Sequence, residues 1–180
     1  HPDDETIWMG GTILKNRELK WTIFSLCRKG DEDREPKFKR VCEFYNADGI
    51  ISDLDDEVLE ALDISEVIKK IKEKISGKWD YIFTHGENGE YGHIRHKEIH
   101  RAVSEMVKKG ELKCKNLYFF SYSCGIEGEI PSPTERADLR TELSKAELNI
   151  KRKVIKELYG FSEKSFEYSS CGGEETFVSN

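Results

Sequence analysis

Trp79-Asp80-Tyr81-Ile82-Phe83-Thr84 runs without a break into His85-Gly86-Glu87-Asn88-Gly89-Glu90-Tyr91-Gly92-His93-Ile94-Arg95-His96. The first six residues are rich in aromatic and β-favouring side chains and read as a buried strand. Gly86, Gly89 and Gly92 then mark a loop whose backbone can come close to a bound group. A helical pattern follows from Ile94 to Lys108. A loop that joins a buried strand to a helix is where functional side chains concentrate.

Working outward, the same alternation recurs. Trp21–Cys27 and Leu117–Tyr122 read as buried strands, and a short strand is expected around Gly49–Ser52. Helices are expected over Pro36–Asn46, over Glu57–Ile75 with a break at Asp63, and over Ser144–Tyr159. The last of these opens on a Ser144-x-x-Glu147 capping box and closes near Gly160. Strand-helix-strand alternation predicts an α/β fold, Rossmann-like, with a mostly parallel sheet and helices on both faces. Ligands of such sheets sit beyond the carboxyl ends of the strands. Gly125–Arg136, with Pro131 and Pro133, reads as a loop, either a plain connection or a lid.

The 180 residues suit one domain, 1–180, with a sizeable core. Apolar residues make up 37% and charged residues 36%, which excludes a disordered chain. The net charge, 29 − 35 = −6, argues against a nucleic-acid partner. Lys69, Lys70, Lys72 and Lys74 cluster, but interleaved glutamates make them a solvated helix face. Five widely spaced cysteines with no C-x-x-C pair fit reduced thiols and a cytoplasmic location. No apolar run approaches the roughly 18 residues of a membrane span. A homo-oligomer is compatible with the sequence.

Chemistry gathers in two places. His1-Pro2-Asp3-Asp4-Glu5 puts three carboxylates and an imidazole into five residues at the start of an apparent helix that includes Gly10-Gly11-Thr12. Adjacent aspartates repel unless a positive group holds them, and a divalent cation does so. His1 and Asp4, three residues apart, can be aimed at one metal by a turn, which leaves Asp3 pointing elsewhere. An acidic helix cap beside a stray histidine is the competing reading. In the second place, His93 and His96 are spaced to share one helix face. His85 can shape the loop by hydrogen bonding, and His100 reads as an ordinary helical residue.

Together the two motifs resemble the LmbE/PIG-L-type N-acetylglucosaminyl deacetylase family, which carries HPDDE at a strand end and later an H-x-x-H pair after a glycine-containing loop. Here these are His1–Glu5 and Gly92-His93-Ile94-Arg95-His96. Weaker similarity lies at Gly10-Gly11-Thr12, Cys27–Asp31, Arg40-x-x-Glu43 and Glu175-x-Phe177. The family's first strand precedes its HPDDE motif, so a strand upstream of His1 is expected and is missing from this chain.

The resemblance implies His1, Asp4 and His96 as metal ligands. Two imidazoles and one carboxylate leave a fourth position for water on a catalytic Zn2+, although such a set also accepts Fe2+ or Mn2+. It implies Asp3 as general base and His93 as the group that stabilises the oxyanion or protonates the leaving amine. The substrate would be a small-molecule amino sugar bearing an acetamido group, with Asp31, Arg40 and Asp55 as candidates to grip its hydroxyls. Glu5 is expected to orient the motif or cap the helix. Two alternatives stand beside this one: a metal-dependent amidase acting on a thiol conjugate or other small amide, and a non-catalytic sugar-binding module.

Overall fold

The strand read at Trp79–Thr84 is present and one residue longer, and the helix after the glycine loop spans Ile94–Lys108 as its apolar spacing requires. The computed structural model describes residues 1–123 and 129–180. In chain order the elements are α1 (Asp4–Lys15), β1 (Thr22–Ser25), α2 (Arg34–Tyr45), β2 (Asp48–Ile51), α3 (Ile64–Lys74) and β3 (Lys78–Thr84). A short helical turn α4 (Gly89–Gly92) follows, then α5 (Ile94–Lys108), β4 (Lys113–Phe120), β5 (Tyr122–Ser123), β6 (Ser132–Pro133) and β7 (Leu139–Glu142). The chain ends with α6 (Lys145–Lys153), a π-helical turn over Val154–Leu158, α7 (Phe166–Ser170) and β8 (Glu174–Ser179). Among the described residues no helix is long and apolar enough to cross a membrane.

The fold is mixed α/β. β1 pairs in parallel with β2, and β3 with β4, whereas β4–β8 and β5–β6 are antiparallel. The chain divides into two compact units: His1–Asp55 with Thr141–Glu175, and Asp56–Arg140 with Thr176–Asn180.

In the first unit α1 is the central element. Every residue from Asp4 to Ile13 is buried, so this helix has no solvated stripe along that length. Gly10 and Gly11 let its neighbours close in: a Cβ at Gly10 would lie 2.7 Å from the Tyr45 hydroxyl, and one at Gly11 2.3 Å from Leu143. A buried carboxylate anchors the same turn. Glu175 accepts the backbone N–H groups of Gly11 (2.8 Å) and Thr12 (2.7 Å), the Thr12 hydroxyl, and the Lys151 ammonium at 2.7 Å. Both members of the Lys151–Glu175 pair are fully buried. The Ser144–Glu147 capping box forms as expected and starts the helix that delivers Lys151.

In the second unit the helix expected over Glu57–Ile75 begins only at Ile64. Asp63 caps it by accepting the Ser65 N–H at 2.8 Å. The preceding segment has other partners for its backbone. Arg95 donates to the carbonyls of Val58 (2.6 Å) and Glu60 (2.8 Å), and Glu98 accepts the Leu62 N–H at 2.7 Å. Side chains of α5 thus satisfy groups that helical bonds would have used. Lys72 and Lys74 lie on the exposed side of α3, whose Val67 and Ile71 face inward. Of the loop read at Gly125–Arg136, residues 125–128 lie outside the described residues, and Ser132–Pro133 pairs with β5.

Glu175→Gln leaves the Lys151 ammonium buried without its counter-charge. Urea denaturation of this variant is expected to show a loss of about 3–5 kcal/mol. A loss below about 1 kcal/mol, the scale of an exposed ion pair, would refute the anchoring role given to this cluster.

Candidate functional site

In the first unit the site begins where α1 begins. The Asp3 carbonyl accepts the N–H groups of Thr6 and Ile7, both at 2.9 Å, and so starts the helix. Asp3 itself has φ 124° and ψ −32°, outside the regions open to an L-residue without strain. Such positions cost roughly 1–3 kcal/mol and persist when their surroundings over-determine them. Here the restraint is Glu5, whose buried carboxylate accepts the Asp3 N–H (3.1 Å), the Thr6 hydroxyl (2.6 Å) and the Tyr159 hydroxyl (2.9 Å). Tyr159 directly follows the π-helical turn and donates its own N–H to the Val154 carbonyl.

The turn sends the two aspartates to different partners. Asp4 accepts the Trp8 indole N–H on Oδ1 at 2.8 Å, while its Oδ2 lies 2.9 Å from Nδ1 of His1. Asp3 turns to Arg34, whose Nη1 reaches its Oδ2 at 3.0 Å. The Arg34 guanidinium also lies over the Phe161 ring, 4.7 Å from its centroid. Burial and then the neighbouring Asp4 charge push the Asp3 carboxyl well above the usual carboxylate range, with Arg34 pulling the other way.

In the second unit β3 ends at Thr84 and delivers His85 directly. His85 and the fully buried His96 stack with ring centroids 3.7 Å apart and planes 18° apart. Both rings meet one carboxylate oxygen: Oε2 of Glu90 lies 2.9 Å from Nδ1 of His85 and 2.6 Å from Nδ1 of His96. The other oxygen, Oε1, accepts the Gly86 N–H at 2.7 Å. Burial alone would raise the Glu90 carboxyl, but the His85 and His96 rings outweigh it and hold the group at about 2. Glu90 has φ 58° and ψ −59°, close to the strained γ-turn conformation. His93 is the N-cap residue of α5, with its ring 4.6 Å from that of His96 and 5.6 Å from that of Tyr91.

A family model described as PIG-L, GlcNAc-PI de-N-acetylase, matches residues 1–107, the stretch that holds both motifs. The chain belongs to the PIG-L family. No curated protein sequence matches it. Among solved structures it is similar to the conserved protein TT1542 from Thermus thermophilus, with TM-score 0.69 and 15% identity over 99% of this chain and 90% of that one. It is also similar to the A40926 pseudoaglycone deacetylase Dbv21, with TM-score 0.60 and 11% identity over 89% and 78% of the two chains. GalB, the 4-carboxy-2-hydroxymuconate hydratase from Pseudomonas putida, gives TM-score 0.57 and 15% identity over 95% and 79%. At these identities the likeness is one of fold, and a fold shared by a deacetylase and a hydratase does not select a reaction.

The donor chemistry of each unit of this PIG-L protein fits a divalent metal. Two ligands held 2.0–2.2 Å from a tetrahedral zinc lie about 3.4 Å apart. The His1 nitrogen and Asp4 oxygen, at 2.9 Å, are within about half an ångström of that spacing. In the second unit Nδ1 of His96 faces a carboxylate oxygen at 2.6 Å, the kind of partner a metal-binding imidazole commonly has.

The remaining predicted residues have other surroundings. Asp31 accepts the N–H groups of Arg34 (2.8 Å) and Asp33 (2.9 Å) at the start of α2, and these bonds hold its carboxyl low. Arg40 and Asp55 are exposed. His100 donates from Nδ1 to the His85 carbonyl at 3.1 Å, and it rests against Phe119. Since a carbonyl only accepts, donation is the arrangement that satisfies both groups. Sequence reasoning did not single out Glu90, Arg34, Trp8 or Tyr159. Glu90 alone carried a local signal, a carboxylate inside the glycine loop three residues before His93.

Tyr159→Phe removes one hydroxyl donor from the buried Glu5 carboxylate. Its expected cost is about 1.5–3 kcal/mol in chemical denaturation, as for a hydrogen bond to a charged group. Unchanged stability would show that Glu5 does not depend on that hydroxyl.

Proposed function

We propose that this chain is a metal-dependent N-deacetylase that removes the acetyl group from an N-acetylglucosamine-containing small molecule or glycoconjugate. In this reading residues 1–180 are a single domain with a Rossmann-like arrangement in which site residues follow the carboxyl ends of parallel strands. His1, Asp4 and His96 would hold the metal. Zn2+ is the ion proposed, with Fe2+ or Mn2+ as substitutes. The cytoplasm is the proposed setting, because the widely spaced cysteines contain no C-x-x-C pair.

The observation that carries this reading is the contrast between Asp3 and Asp4. Asp4 faces His1 and is steadied by Trp8, as a ligand must be. Asp3 is turned away by a strained backbone, and its burial raises its affinity for a proton. A general base works best when its pKa lies near the operating pH, and the shift moves Asp3 in that direction.

When bound, the metal would supply Lewis-acid polarisation and a water made acidic enough to deprotonate near neutral pH. Asp3 accepts that water's proton as the new carbon–oxygen bond forms at the acetamido carbonyl. Arg34 keeps the Asp3 carboxyl oriented before and after the transfer. His93, at the N-terminus of α5, donates to the developing oxyanion or to the leaving amine. Acetate and a free amine are the products. Asp31, Arg40 and Asp55 remain the proposed contacts to sugar hydroxyls.

Asp3→Asn keeps the size of the side chain and removes the base. Acetate release from a panel of N-acetylated amino sugars is expected to fall by about 10²–10⁴-fold, with bound metal still stoichiometric by elemental analysis. Full activity in this variant would remove Asp3 from the mechanism. A wild type active solely on non-acetylated amides would replace the deacetylase reading with an amidase one.

A further inference from the structure

Glu90 is buried, backbone-strained and bonded on both oxygens, yet none of the roles above uses it. We propose that Glu90 is a positioning residue whose Oε2, accepting Nδ1–H from both His85 and His96, sets two stacked imidazoles to one tautomer. The lone pair of each ring is then on Nε2. The consequence for metal affinity rests on the reading of His96 as a ligand, whereas the tautomer assignment does not.

The argument is one of donors and acceptors. An ionised carboxylate accepts hydrogen bonds and cannot donate them, so both ring nitrogens facing Glu90 carry protons. In the neutral form of the two rings, which stack 3.7 Å apart, these are the only ring protons. A neutral imidazole protonated on Nδ1 has its lone pair on Nε2. His96 is thereby prepared to bind a metal without first losing a proton. His85, in the same tautomer, can accept a bond or a proton through Nε2 and cannot give one there.

The loop is built to deliver this carboxylate. Gly89, at φ 65°, starts the tight turn, and Glu90 follows at φ 58°. Gly86 gives its N–H to Oε1, and its own Cβ, if present, would lie 2.4 Å from the Phe120 carbonyl oxygen. Asn88 ties the loop to β5 by donating to the Tyr122 carbonyl at 2.7 Å. The far side of His85 is pinned through its carbonyl by His100.

The test is long-range proton–nitrogen NMR of the metal-free protein labelled at histidine, with His85→Gln and His96→Gln used for assignment. At a pH high enough that neither ring is charged, wild type is expected to show both rings protonated on Nδ1 and not on Nε2. In Glu90→Gln one amide oxygen faces three donors, so at least one ring is expected to change tautomer. Zinc affinity, by chelator competition, is expected to weaken about 10–100-fold. The exposed neighbouring change Glu87→Gln should alter neither readout. If Glu90→Gln does not fold, judged by circular dichroism, the wild-type tautomers decide the matter. Either wild-type ring protonated on Nε2 overturns the proposal. So does a folded Glu90→Gln with unchanged tautomers and unchanged zinc affinity. Expected tautomers in a wild type that binds no zinc would support the clamp and defeat the deacetylase reading instead.

Discussion

A carboxylate removed from water must be met by donors or by positive charge, and this requirement shapes both units. Glu175 is met by Lys151 and by the backbone of α1, Glu5 by two hydroxyls and the Asp3 N–H, and Glu98 by Arg95 and the Leu62 N–H. Glu90 is met by two imidazoles and the Gly86 N–H. An unmatched buried charge costs several kcal/mol, so each of these groups dictates where its partners stand. Glu175 thereby holds α1, α1 presents the first motif, and Glu90 holds the rings of the second.

The same groups explain where strain is stored. Asp3 and Glu90 both have positive φ without being glycine, and both adjoin the residues proposed to bind metal. In the first case Glu5 grips the strained N–H directly. In the second the strained residue's own side chain is bonded at every oxygen. Strain in both places sets a side-chain direction that relaxed backbone would not give, which is what a site of fixed geometry requires.

Much of this was legible in the sequence because it is local. The strand at Trp79–Thr84, the α5 boundaries, the Ser144–Glu147 capping box and the burial of Phe38, Val41, Cys42 and Tyr45 on one face of α2 all follow from spacing within a few residues. The failures were long-range. The helix read from Glu57 does not form before Ile64 because Arg95 and Glu98, over thirty residues away in sequence, take its backbone groups. Tyr159 meets Glu5 across 154 residues and Arg34 meets Asp3 across 31, so no local pattern reports either contact. β8 was missed because its first residues, Glu174 and Glu175, look solvated, whereas Glu175 is fully buried against a lysine. His1, Asp3, Asp4, His93 and His96 are proposed from their motifs, whereas the groups that orient them carry no motif.

The proposed function depends on one metal held by His1, Asp4 and His96. The most direct measurement is X-ray absorption spectroscopy of the zinc-loaded protein, compared with its His96→Ala variant. The expected first shell is two imidazole nitrogens and carboxylate or water oxygen at about 2.0–2.2 Å, with one imidazole lost in the variant. A shell containing sulfur, or one whose imidazole count is unchanged in His96→Ala, would contradict it.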